Sequence, residues 1–106
     1  MEVNVIDLRG LFPPLATPYQ ADESLDEEAL RDLVQFLLPN VDGLIVNGTT
    51  GDFPLLSRAE RRHAVEIVID EVNGAKPVFA GTGAPSTREA IVLTRDAQDA
   101  GVDAVM

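Results

Sequence analysis

The sequence repeats one unit. Ser24-Leu25-Asp26-Glu27, Ser57-Arg58-Ala59-Glu60 and Ser86-Thr87-Arg88-Glu89 share the S-x-x-E form of a helix-opening capping box. In that form the serine side chain accepts one orphan N–H and the glutamate returns to another. The three serines lie 33 and 29 residues apart. Apolar residues at helical spacing follow each box. They are Leu30, Leu33, Val34, Leu37 and Leu38; then Ala64, Val65, Val68, Ile69 and Val72; then Ala90, Leu93, Ala97 and Ala100, with Ile91 and Thr94 beside them. Each pattern ends on a breaker: Pro39-Asn40, Asn73-Gly74 with Gly74 suited to a left-handed cap, and Gly101. Short apolar runs over 42–46, 77–80 and 102–106 read as buried strands. The mixed stretch 10–18, broken by Pro13 and Pro14, reads as a short irregular strand ending at Thr17-Pro18. Strands separated by whole helices pair in parallel through right-handed crossovers. The chain therefore reads β-α-β-α-β-α-β, an α/β architecture. A closed barrel of such units takes about 250 residues, so the pattern is that of the N-terminal part of a longer protein or a truncated piece of one. Residues 1–9 read as a lead-in.

Gly48-Thr49-Thr50-Gly51-Asp52 follows the strand Leu44-Ile45-Val46 and precedes the helix opening at Ser57. In α/β sheets and barrels, that edge is where ligands bind. Gly48 and Gly51 let the backbone approach a ligand, and Thr49 and Thr50 each offer a hydroxyl and an N–H. The set suits a small anion such as a carboxylate. A plain strand-to-helix turn is the alternative that spacing alone leaves open.

Composition removes several classes of function. Eighteen acidic residues against 8 basic ones give a net charge of −10, which excludes the basic patches that nucleic acid requires. The acids are spread along the chain, and Lys76 is the one lysine. That balance resembles proteins of salt-loaded cytoplasm, where dense salt screens self-repulsion. No apolar run is long enough to span a membrane. The start lacks the pattern of a secretory signal, so the Asn47-Gly48-Thr49 glycosylation pattern is set aside. Cysteine is absent, which excludes disulfides and thiolate chemistry and is compatible with a reducing, cytoplasmic setting.

Other candidates are weaker. Gly81-Thr82-Gly83 begins like a dinucleotide fingerprint, but Ser86 stands where a third glycine belongs. Its better use is as a second loop at the Thr49–Thr50 edge. His63 reads as a packing or surface residue. No His/Asp/Glu cluster has metal-ligand spacing. Lys76 precedes Pro77 at the opposite end of its strand, where it reads as a solvated charge and not a nucleophile. Asp52 reads as a turn cap or a partner of loop amides, ahead of an acid–base role.

Thr17-Pro18-Tyr19, the run Gly48 to Arg61, and Ala80-Gly81-Thr82-Gly83 together resemble the dihydrodipicolinate synthase / N-acetylneuraminate lyase family. The likeness runs in order from about Gly10 to Met106. It implies a (β/α)8 TIM barrel, of which residues 1–106 would be the N-terminal part, with the first three βα units and the start of a fourth strand. It further implies a homotetramer and a pyruvate or 2-oxo acid substrate held as a Schiff base on a lysine beyond Met106. A tyrosine, also beyond Met106, would relay protons, and no separate cofactor is implied. The family's threonine pair matches Thr49 and Thr50. By that likeness both hold the substrate carboxylate, and Thr49 also joins the proton relay. Aspartate-semialdehyde condensation and cleavage of a 2-keto-3-deoxy sugar acid are the two activities implied. A non-catalytic α/β binding module and a nucleotide-dependent enzyme are the readings from other classes. Asp52 stands where the family usually has Glu, and Ala84-Pro85 where Ser/Ala-Asn is commoner.

Overall fold

A computed structural model describes residues 6–106. Three helices alternate with three short strands: α1 Glu27–Leu37, β1 Leu44–Val46, α2 Arg58–Val72, β2 Val78–Ala80, α3 Thr87–Ala100 and β3 Ala104–Val105. Single 3₁₀ turns occupy Leu38–Asn40 and Phe53–Leu55. The strands are parallel and lie in chain order, with Leu44 opposite Val78, Val46 opposite Ala80, and Phe79 opposite Ala104.

The stretch expected as an irregular first strand lies beside β1 but makes one parallel bridge, Pro14 to Ile45. Pro13 limits it on the N-terminal side, where the N–H that would face β1 is missing. Pro13 accepts from the Ile45 N–H at 3.1 Å and Leu15 donates to the Ile45 carbonyl at 2.8 Å, whereas Pro13 and Pro14 have no N–H to give.

Alternation along the strands divides the sheet's faces. Leu44, Val46, Val78 and Ala80 are buried against the helices, with Leu30 and Val34 of α1, Ala64 to Val72 of α2, and Ala97 of α3. Ile45 and Phe79 take the opposite face, where Phe12 stacks on Phe79 at 4.7 Å. Successive helices pack side by side, α1 on α2 and α2 on α3. Consecutive parallel strands with the helices on one face form the arc of a barrel. A doubly wound sheet would place helices on both faces.

Two of the three expected helix openings hold. Ser57 and Glu60 form a complete capping box. Ser86 accepts from the Glu89 N–H at 3.1 Å. The first differs: Asp26, not Ser24, caps α1 by accepting from Ala29 N–H at 3.0 Å. Ser24 is held by Asp22, through its backbone N–H at 3.0 Å and its hydroxyl at 2.5 Å. Leu25 bridges back to Tyr19. A small hairpin therefore consumes the serine before the helix begins. At the end of α2, Asn73 takes the left-handed cap at φ 50° and Gly74 follows at φ 76°.

At the N-terminal end of the sheet, Asp42 and Asp103 do the same work. The Asp42 carboxylate accepts from Leu11 N–H at 2.7 Å while its own N–H donates to the Leu11 carbonyl at 2.9 Å. Asp103 repeats both bonds on Val78, each at 2.9 Å. Lys76 lies at this end, as expected, but is not a free solvated charge. Its ammonium donates to the Leu38 and Val41 carbonyls at 2.5 and 2.6 Å, covering acceptors that the end of α1 leaves open.

Candidate functional site

The loop after β1 turns twice in quick succession. Gly51 N–H donates to Gly48 O at 3.0 Å and Asp52 N–H to Thr49 O at 3.1 Å. Asn47 and Asp52, at either end, take left-handed φ values of 60° and 61°, which their short polar side chains tolerate. Thr49 and Thr50 at the turn's crown are exposed. Among the described residues, neither their hydroxyls nor their backbone N–H groups meet a partner. Gly48 is half-buried and Gly51 is buried. The four residues proposed from sequence thus sit on one turn at the C-terminal edge of the sheet, with donors open to solvent.

The rest of the loop is held from below. Thr17, itself buried, donates its hydroxyl to the Gly51 carbonyl at 2.6 Å. A side chain on Gly51 would meet Leu15 O and Thr17 Oγ1 at 3.1 Å. The Thr17-Pro18-Tyr19 stretch is therefore the floor of the turn. Tyr19 reaches the Asp52 carboxylate at 3.5 Å, the limit of a hydrogen bond. Partial burial, then the Asp52 charge, push the Tyr19 phenol above its usual range. Asp52 stands at the N-cap of the 3₁₀ turn, where its carbonyl accepts from Leu55 N–H at 2.8 Å, but its side chain makes no cap bond.

The loop after β2 meets this turn main chain to main chain. Gly81 N–H donates to Val46 O at 2.8 Å, and a Cβ on Gly81 would lie 2.1 Å from Asn47 O. Thr82 is buried and receives the Thr94 hydroxyl at 2.9 Å. The second loop does lie at the same edge as the threonine pair, as its position in sequence implied. Its Gly81 and Gly83 carbonyls accept from a guanidinium, which is not the amide cradle of a dinucleotide site.

That guanidinium belongs to Arg61, which the sequence reading passed over together with Asn47. Arg61 is 7% exposed. It donates to Gly83 O and Gly81 O, both at 2.8 Å, and lies 5.2 Å over the Phe53 ring. None of its partners is a carboxylate, and burial lowers its pKa. Asn47, 2% exposed, donates its side-chain N–H to the Arg61 carbonyl at 2.9 Å. Among the described residues, Asn47 Oδ1 and Arg61 Nε are buried without a partner. The overlooked signal was spacing: position 61 precedes Ala64 and Val65 by three and four residues, on the apolar face of α2.

His63 is exposed on α2, with Nε2 3.3 Å from Glu27 on α1, in keeping with a surface role. No group of three or more metal-type ligands occurs among the described residues, and no helix there is long and apolar enough to cross a membrane.

Comparison with known proteins gives a consistent result. The chain is 48% identical over 101 residues to a 4-hydroxy-tetrahydrodipicolinate synthase of Methanopyrus kandleri, covering 93% of this chain and 34% of that protein. It superposes on dihydrodipicolinate synthase DapA-2 of Bacillus anthracis with a TM-score of 0.90 at 36% identity, over 96% of this chain and 35% of the other. It matches YagE of Escherichia coli K12, a dihydrodipicolinic acid synthase family protein solved in complex with pyruvate, with a TM-score of 0.89 at 37% identity, over 92% of this chain and 33% of the other. The chain spans about a third of the length of the relatives it matches. The arc of strands is accordingly part of a TIM barrel. A model of the Dihydrodipicolinate synthetase family matches residues 7–106, and the chain belongs to that family.

Proposed function

We propose that this chain supplies the carboxylate-binding rim of a Schiff-base-forming lyase or synthase that acts on pyruvate or another 2-oxo acid. Residues 1–106 form the N-terminal part of its single barrel domain. The observation that carries the reading is the crown of the β1 loop: two adjacent, exposed threonines at the C-terminal edge whose hydroxyls and N–H groups have no partner among the described residues. Thr49 and Thr50 grip the substrate carboxylate, with Gly48 and Gly51 leaving room for it. A held carboxylate fixes the neighbouring keto carbon for attack by an amine. That amine comes from elsewhere in the protein, because Lys76 is bound to carbonyls at the far end of the sheet. Thr49 also passes a proton. The likeness to synthases favours condensation of pyruvate with aspartate semialdehyde over cleavage of a sugar acid.

The test is borohydride reduction of the full-length protein with pyruvate, which should leave a lysine covalently labelled. Thr50→Ala keeps its N–H but loses its hydroxyl. A hydrogen bond to a charged group is worth about 1.5–3 kcal/mol, so KM for the 2-oxo acid should rise roughly tenfold or more. Thr49→Val should lower kcat. Absence of labelling, or wild-type kinetics in both variants, overturns the proposal.

A further inference from the structure

Arg61 stands out because a buried cation normally has an anion beside it, and this one has two carbonyls and an aromatic ring. Its location gives that arrangement a purpose. The Gly81–Gly83 loop carries neither threonine, yet it touches both ends of the turn that carries them. At one end, Gly81 lies against the main chain of Asn47 and Gly48. At the other, Gly83 faces the Phe53 ring, whose edge would lie 3.7 Å from a Cβ placed there. Gly81 and Thr82 donate their N–H groups to Val46 O and Met106 O, both at 2.8 Å, while the Gly81 and Gly83 carbonyls take their donors from Arg61. A planar guanidinium donates to two carbonyls from a rigid fork while its face lies over a ring, a geometry that the flexible, compact ammonium of lysine lacks.

We propose that Arg61 is a positioning residue for the Thr49–Thr50 cradle: by holding the Gly81 and Gly83 carbonyls, it fixes the surface against which the Asn47–Phe53 turn folds. The inference rests on reading the threonine pair as a carboxylate cradle. Arg61 touches no substrate. Its effect is on where the two threonines stand, and so on how tightly the 2-oxo acid is held before reaction.

The experiment compares Arg61→Gln, Arg61→Lys, Phe53→Leu and Thr50→Ala in the full-length protein. It reads KM and kcat for pyruvate, borohydride trapping at saturating pyruvate, and the thermal midpoint. Misplacing a binding group by about 1 Å can cost up to roughly a hundredfold. Arg61→Gln should therefore raise KM for pyruvate about tenfold or more, while trapping at saturation persists. Arg61→Lys, which keeps the charge and its donors but loses the rigid planar fork, should recover part of that loss. A folded Arg61→Gln protein with a lower thermal midpoint but wild-type KM makes the residue merely structural and overturns the inference, provided Thr50→Ala raises KM. If Thr50→Ala itself leaves KM unchanged, the cradle reading fails and takes this inference with it. Should Arg61→Gln not fold, Phe53→Leu decides: a raised KM supports the positioning role, and a wild-type KM overturns it.

Discussion

Gly81 shows how much one missing side chain decides. A Cβ there would sit 2.1 Å from a main-chain oxygen, Asn47 O. A backbone atom cannot swing aside as a side-chain tip can. Gly81→Ala should therefore cost at least the roughly 1–3 kcal/mol typical of overpacking, read as a fall in the denaturant midpoint. Gly48 is a fair control, since its Cβ would meet Ile45 at an ordinary 3.6 Å. Gly48→Ala should change stability by less than about 0.5 kcal/mol. The sequence could be read for the threonines because exposed donors at a strand end need no partner to be recognised. Asn47 and Arg61 escaped because their burial exists only once two loops, 34 residues apart at Asn47 and Gly81, have met. A charged residue on an apolar helix face was the available clue.

At the level of elements, the repeat was legible and the details of its punctuation were not. Three S-x-x-E boxes look alike, yet the surroundings sort them. Ser57 makes both reciprocal bonds, whereas Ser24 is diverted into a hairpin and leaves Asp26 to open α1. The sequence shows which residues can cap; it does not show which are already engaged. The expected consequence is measurable. Asp26→Ala and Ser57→Ala should each destabilise by about 1 kcal/mol, while Ser24→Ala should leave α1 with its cap and cost less than either. Equal losses at Ser24 and Asp26 in urea unfolding would contradict the assignment. The first strand was read as short and irregular because its prolines withhold ladder donors, and it makes one parallel bridge to β1, Pro14 to Ile45.

The whole molecule carries its charge as a field. A net charge of −10 on 106 residues is self-repelling, and salt shortens the reach of that repulsion from about 10 Å at 0.1 M to about 3 Å at 1 M. The melting temperature should rise between 0.1 M and 2 M KCl, and a flat response would remove the halophile reading. Acid acts differently on particular groups. The Arg58 guanidinium holds the Asp96 carboxyl below its ordinary range, and bonds from Gln35 and Arg31 do the same for Glu71. Their folded pKa values lie below the unfolded ones. Their contribution is therefore complete above the unfolded value, about 4, and is lost as pH falls through that value toward the folded one. Asp96→Asn should flatten the loss of stability between about pH 5 and pH 3 in titrated thermal melts. The chain's class was evident from strand and helix order alone, since parallel pairing follows from spacing. That the arc curves as a barrel emerges from the helices sharing one face.

One feature of the arc lies at the N-terminal end of the sheet, away from the threonine turn. Asp42 and Asp103 each clasp the neighbouring strand through the same two bonds, a carboxylate and an amide used as a pair of fingers. The offset is thereby locked at the foot of the sheet in two of its three pairings, while between β1 and β2 only the Leu44 N–H to Pro77 O bond, at 3.1 Å, stands at that end. The opposite rim uses different means, main chain against main chain at Gly81 and Asn47 and a guanidinium on two carbonyls, which leaves the crown of the β1 loop without such duties.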